Sequence, residues 1–176
     1  MNRILSLTAL SLALVGAGFT VSAEAASRRV VHPNAAGGET ATAVTAHQGA
    51  KGSTASARGV VTDGQGNATA ASGRVVKGVN GGTAARAGKT SVAADGSVQH
   101  ASGMSAQSAK GTVQSSGTAT RDAAGNVTQS RSSTATSAAT GNSVKTSSAY
   151  SKDTGLTHSA SCFDASGASM ACPTRP

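Results

Sequence analysis

The chain has 176 residues, a mass of 16.9 kDa and a formal net charge of +8 at pH 7. Ala, Ser, Gly and Thr make up 105 of its residues, while the aromatic set is one Tyr, two Phe and no Trp. That leaves too little bulky side chain for an ordinary globular core, and the compositions of a coiled coil, a collagen or a disulfide-dense scaffold are absent.

Residues 1–25 read as an export signal. Arg3 and the amino terminus form a short positive region, and Ile4 to Val21 is apolar or small, with Leu5, Leu7, Leu10, Leu12 and Leu14 as its spine. Ala23 and Ala25 then form an A-x-A site, which predicts cleavage after Ala25. The alternative is a retained anchor, because 18 residues nearly span a bilayer. No Cys stands at the cleavage point for a lipid anchor, and Arg28-Arg29 follows the apolar run, so it is not a twin-Arg signal. No second apolar run follows, so the processed chain is expected to have no transmembrane segment.

Removing the leader takes away five of the six Leu and the only Ile. The remaining 151 residues keep 13 Val, but only one Leu and one Phe. This is a composition in which disorder competes with folding.

Residues 26–55 are expected to be a flexible lead-in, and 56–176 a repetitive hairpin region. The five Asp all precede a Gly by one to three positions: Asp63, Asp95, Asp122, Asp153 and Asp164. Asp bonds the backbone of its own turn and Gly supplies a positive φ, so each marks a turn. Weaker turns fall at Asn80-Gly81-Gly82, Lys110-Gly111 and Thr140-Gly141-Asn142. The runs between alternate with period two. Val127, Gln129, Arg131, Ser133 and Ala135 share one face, as do Val98, His100, Ser102 and Met104, and Val144, Thr146, Ser148 and Tyr150. Ser, Thr and Gly interrupt every run, and no helical apolar stripe persists. The expected fold is therefore all-β: repeated antiparallel hairpins of about 30 residues, as a meander or solenoid-like sheet, after a cleaved signal helix. A largely disordered chain is the alternative. A transmembrane barrel would need aromatic girdles that this composition does not contain.

Cys162 and Cys172 are the only cysteines, and in an exported chain the pair predicts a disulfide stapling the terminal hairpin. His100 and His158 occupy matching positions after Asp turns and are candidate neighbours on one face, with no third ligand spaced to complete a metal site. No nucleophile elbow is present, no carboxylates are paired for acid–base work, and the Asp turns lack the successive ligands of a calcium repeat. No catalytic residue, cofactor or metal is expected.

Removal of the leader leaves the charge at +8, with basic residues spread along the runs and the Asp residues confined to turns. The expectation is a secreted or periplasmic bacterial structural or interaction protein of the cell envelope or extracellular matrix, able to self-associate and without catalytic activity. The alternative is a basic binding module for anionic polymers such as envelope polysaccharide or nucleic acid, although no aromatic platform exists for stacking bases.

Overall fold

A computed structural model describes residues 25–172, and the expected leader up to residue 24, including Ala23, lies outside the described residues. Within the described residues eleven strands follow one another. They are β1 (Ala26–Pro33), β2 (Glu39–Gly49), β3 (Gly52–Thr62), β4 (Ala68–Gly78), β5 (Thr83–Val92), β6 (Val98–Ser108), β7 (Gly111–Arg121), β8 (Val127–Ser137), β9 (Ser143–Ser151), β10 (Gly155–Phe163) and β11 (Ser169–Met170). They form one antiparallel sheet whose spatial order is the chain order, a meander. The long strands reach about 35 Å, and neighbours lie about 4.8 Å apart.

The sheet is a single layer. Among the described residues only Cys162, at 3% exposure, and Ser115, at 9%, are buried. Every other side chain on either face meets solvent to some degree. The alternation read from the sequence is therefore real, but it does not separate an inside from an outside.

The stretch 26–55 is not a lead-in to this sheet: it forms β1, β2 and the first part of β3. It carries the same two ingredients as the rest, period-two alternation and turn residues. Its first turn uses Asn in place of Asp, with Asn34 Oδ1 accepting from the N–H groups of Ala36 at 3.0 Å and Gly38 at 3.2 Å.

One turn design recurs. In Asp122–Asn126 the first N–H donates to the fifth carbonyl at 3.0 Å, and the Gly125 N–H donates back to the first carbonyl at 3.0 Å. The same pair of bonds closes Asn34–Gly38, Gly78–Gly82, Ala93–Ser97 and Asp164–Ala168. The fourth residue is Gly each time, with φ between 78° and 87°. This left-handed position opposes any residue with a Cβ. At the other class of turn, Ala50-Lys51 and Ala109-Lys110 are each followed by a Gly that opens the next strand. Gly52 has φ 124° and Gly111 φ 143°. A Cβ on Gly52 would overlap the carbonyl of Lys77, and one on Gly111 the carbonyl of Thr136.

Side chains directly opposite one another add a second layer of pairing. Hydroxyls meet at Thr45–Ser56 (2.6 Å), Thr118–Ser130 (2.9 Å), Thr120–Thr128 (2.6 Å) and Ser147–Ser159 (2.7 Å). Each is a register pair of the ladder. Such pairs contribute about 0.2–1 kcal/mol each.

These geometries predict unequal costs for two glycine substitutions. Gly111→Ala combines a disfavoured φ with a backbone overlap and should destabilise the protein by about 3 kcal/mol. Gly125→Ala meets nothing within 4 Å and should cost about 1–2 kcal/mol from its φ alone. Equilibrium urea unfolding of both variants compares them directly, and equal losses would contradict the register at the start of β7.

Candidate functional site: a basic face

Residues paired across an antiparallel ladder share a face, so the register assigns every strand residue to one of two surfaces. The first face carries Val60, Val76, Val92, Val98, Val113, Val127 and Val144, with Met104, Tyr150 and Leu156. Its valines cluster toward the strand ends. One cross-strand row at that margin is apolar from β4 to β11: Val76, Ala84, Ala106, Val113, Ala135, Val144, Cys162, Met170. The middle of the same face is small and polar, with Ser72, Gly88, Ser102 and Gly117 in one row. The opposite face is dominated by Ser, Thr and Gln. A groove of about 500 Å³ runs there between two rows that include Thr118 and Ser130 on one side and Ser116 and Ser132 on the other.

Over strands β3 to β9 cations are sorted by type between these faces, whereas on β1 Arg29 lies on the valine face and Arg28 on the hydroxyl face. Every Arg of strands β3 to β8 (Arg58, Arg74, Arg86, Arg121, Arg131) lies on the valine face. Every Lys within a strand (Lys77, Lys89, Lys145) lies on the hydroxyl face. Two of the guanidinium groups are engaged by the protein. Arg121 donates to the Gly96 carbonyl at 3.1 Å. Arg131 donates through Nε to Ser115 Oγ at 3.1 Å. Ser115 also accepts from Ser133 Oγ at 2.8 Å and donates to the Ser132 carbonyl at 3.1 Å. This buried hydroxyl is a fully used node that holds Arg131 against the sheet. Among the described residues no hydrogen bond holds Arg58, Arg74 or Arg86, and all three side chains are exposed.

Those three form a cluster. Arg74 on β4 is directly opposite Arg86 on β5. Arg58 on β3 is opposite Ser72, which places it diagonally next to Arg74. Facing side chains in a ladder have Cβ atoms about 4.5–5.5 Å apart, and diagonal neighbours about 7–8 Å. Around the cluster stand Ser56, Ser72, Ala84, Gly88 and Met104. Among the described residues the one carboxylate of a strand, Glu39, lies at the far end of β2, four residues along from the partner of Arg58 and so about 13 Å away.

The Asp carboxylates are occupied at the turns. Asp122 accepts from the Asn126 side-chain amide and the Asn126 N–H, each at 2.8 Å. Asp63 repeats the arrangement with Asn67 at 2.5 and 3.0 Å. Asp95 accepts from the Ser97 N–H at 2.8 Å, and Asp164 from the N–H groups of Ser166 and Ala168, each at 2.9 Å. These bonds hold all four carboxyls below their ordinary range; the side-chain amide leads for Asp63 and Asp122, the Ser97 N–H for Asp95 and the Ser166 hydroxyl for Asp164. Asp153 differs: at its turn Ser151 Oγ accepts the Thr154 N–H at 3.1 Å.

Cys162 and Cys172 are joined in a disulfide with Cα atoms 5.2 Å apart. The bond ties the tail after β11 back to β10, next to the apolar row, while Lys145 Nζ sits 4.7 Å from the Phe163 ring centre on the opposite face. His100 and His158 share a face but stand four strands apart, about 19 Å. His100 Nδ1 is instead paired with Thr90 Oγ1 at 2.8 Å. Among the described residues no three His, Cys, Asp or Glu side chains converge as metal ligands. Ala25, the residue before the expected cleavage, is the first residue described. Set against protein-family models, curated proteins and solved structures, the chain matches none.

Two measurements follow from the turns and the staple. The folded carboxyl pKa values lie below the unfolded ones, near about 3.9, so their contribution is complete well above that pH and disappears as the pH falls through the folded values. Asp122→Ala should therefore lower the urea midpoint at pH 7, with a much smaller loss at pH 2. Equal losses at the two pH values would contradict an ionised turn cap. The pair Cys162→Ser with Cys172→Ser should cost about 2–3 kcal/mol in oxidising buffer and remove the sensitivity of the urea midpoint to reductant.

Proposed function

We propose that the chain is an exported bacterial structural or interaction protein of the cell envelope or extracellular matrix, acting through its surfaces rather than through catalysis. The observation that carries this reading is the single-layer sheet, in which only two described residues are buried and both faces meet solvent. Export is supported by the leader-like residues 1–25 and by a disulfide, which persists in oxidising compartments. The first strand also begins at Ala26, immediately after the expected cleavage site.

Among the described residues the sheet has two open edges through which it can act. β1 presents one along its whole length, with all of its residues exposed. On the other side β11 pairs only with Cys162 and Phe163, leaving Gly155 to Ser161 of β10 without a further strand among the described residues. In a meander the first and tenth strands run in opposite directions. A copy that sets its β1 against the next copy's β10 thus continues the antiparallel alternation, head to tail and without closure.

Expression in a bacterial host with amino-terminal sequencing of the exported material should give Ala26 as the first residue, and retention of the leader would overturn export. Sedimentation velocity of the chain from Ala26, over a rising concentration series, should show growth beyond the monomer. Fibre diffraction of the assemblies should carry a strand-spacing reflection at about 4.7–4.9 Å. A monomer at every concentration would overturn the self-associating structural reading.

A further inference from the structure

We infer that Arg58, Arg74 and Arg86 form a binding site for the acidic groups of an extended anionic polysaccharide. The site stands on the middle of the valine face over β3, β4 and β5 and does not depend on assembly of the sheet. Like charges placed directly opposite in a ladder are destabilising, and Arg74 faces Arg86 in that position. Among the described residues no counter-charge lies there: the Asp residues are at the turns, where four of them are bound by turn amides and hydroxyls, and Glu39 is at the far end of β2. Arg121 and Arg131 show that this sheet can engage a guanidinium with its own acceptors, and it does so at those two positions. At Arg58, Arg74 and Arg86 the donors are left facing solvent.

The chemistry of the ligand follows from the residue type and the surface. A planar guanidinium presents paired N–H donors that match the two oxygens of a carboxylate or sulfate, and two of them side by side can share one such group. Arg58, diagonal to the pair, is placed for the next acidic group along a chain. The floor between them is Ser72 and Gly88, continuing through Ser102 and Gly117. Its side chains are small, which leaves room for a linear polymer to lie across the strands, and the Ser72 and Ser102 hydroxyls can bond sugar hydroxyls. A single-stranded nucleic acid would call for stacking surfaces, and this stretch offers no Phe, Tyr or Trp; its one ring, the His100 imidazole beside Gly88, is paired with Thr90.

The test compares two double variants with the same loss of charge. Arg74→Gln with Arg86→Gln empties the cluster, and Lys77→Gln with Lys89→Gln removes two cations of the same two strands from the opposite face. Binding of the chain from Ala26 to heparin, alginate and a single-stranded oligonucleotide is measured by calorimetry over a range of salt concentrations. Far-UV circular dichroism confirms folding of each variant. The expected result is binding to one or both polysaccharides, weakened at least tenfold by the Arg pair and less than threefold by the Lys pair. Binding to heparin alone assigns the sulfate group, and to alginate as well the carboxylate. Removal of the facing charges should also leave the urea midpoint unchanged or raised, which a purely structural role for Arg74 and Arg86 would not do. Absence of polysaccharide binding at low salt, equal losses from the two pairs, or tighter binding to the oligonucleotide would each overturn the proposal.

Discussion

The cross-strand ladder is the interaction on which this molecule depends. In an ordinary domain the ladder joins strands whose apolar faces are buried against something else, and burial fixes which residue faces which. Here no described element lies against either face, and the described residues contain two buried side chains. Strand pairing must therefore supply both the cohesion and the choice of register. Small side chains help with both. Ala, Ser, Thr and Gly lose little rotamer freedom on ordering, and directly opposed hydroxyls such as Thr118–Ser130 bond each other across the strands.

Strands that are polar on both faces specify register weakly, because a slip of one residue exposes nothing that was hidden. The turns supply what the core does not. Five of them share one bonding scheme with Gly at the same left-handed position, and each fixes the residue about which the chain folds back. Gly52 and Gly111 act at the strand starts, where only a residue without a Cβ can pass the neighbouring carbonyl. They stand 59 residues apart, the same separation as Asp63 and Asp122, or Asn67 and Asn126. Four strands later the chain repeats not only a turn but also the chemistry that closes it. Fixing the turns ionically at Asp63, Asp95, Asp122 and Asp164 makes the register, rather than a buried cluster, the part of the structure that acid weakens.

Much of this was legible in the residues. Asp-Gly and Asn-Gly pairs mark the turns, the alternation about Val98, Val127 and Val144 gives the shared faces, and an even pair of cysteines gives the staple. Residues 26–55 were harder to read because their first turn is opened by Asn34, whose amide oxygen does the work of a carboxylate, and their second by an Ala-Lys pair. Asp153 does mark a turn, but there Ser151 rather than the Asp accepts the turn amide. The absence of a second layer could not be read from periodicity, which is the same for a strand half-buried and one wet on both sides. The Arg cluster was legible in principle. Arg74 and Arg86 lie six residues to either side of Asn80, so a turn centred on that residue sets them face to face. Seen along the chain alone, the same cations look evenly dispersed.

A fold that buries almost nothing frees its side chains from packing, and their distribution then reflects either chance or use. Chance would scatter Lys and Arg over both faces of strands β3 to β9, yet the eight cations there separate completely by type. Solubility does not require this, because either cation serves it on either face. Protection of the sheet edges does not require it either, since Arg74 and Arg86 stand on interior strands that are already paired on both sides. What distinguishes the two residues is geometry: a guanidinium presents a planar fork to an oxyanion, while an ammonium is a strongly hydrated point charge. Over strands β3 to β9 the sheet keeps its forks on one face and its point charges on the other, and so has one surface there suited to grip acidic groups in a fixed orientation. Its other surface is suited to remaining in water.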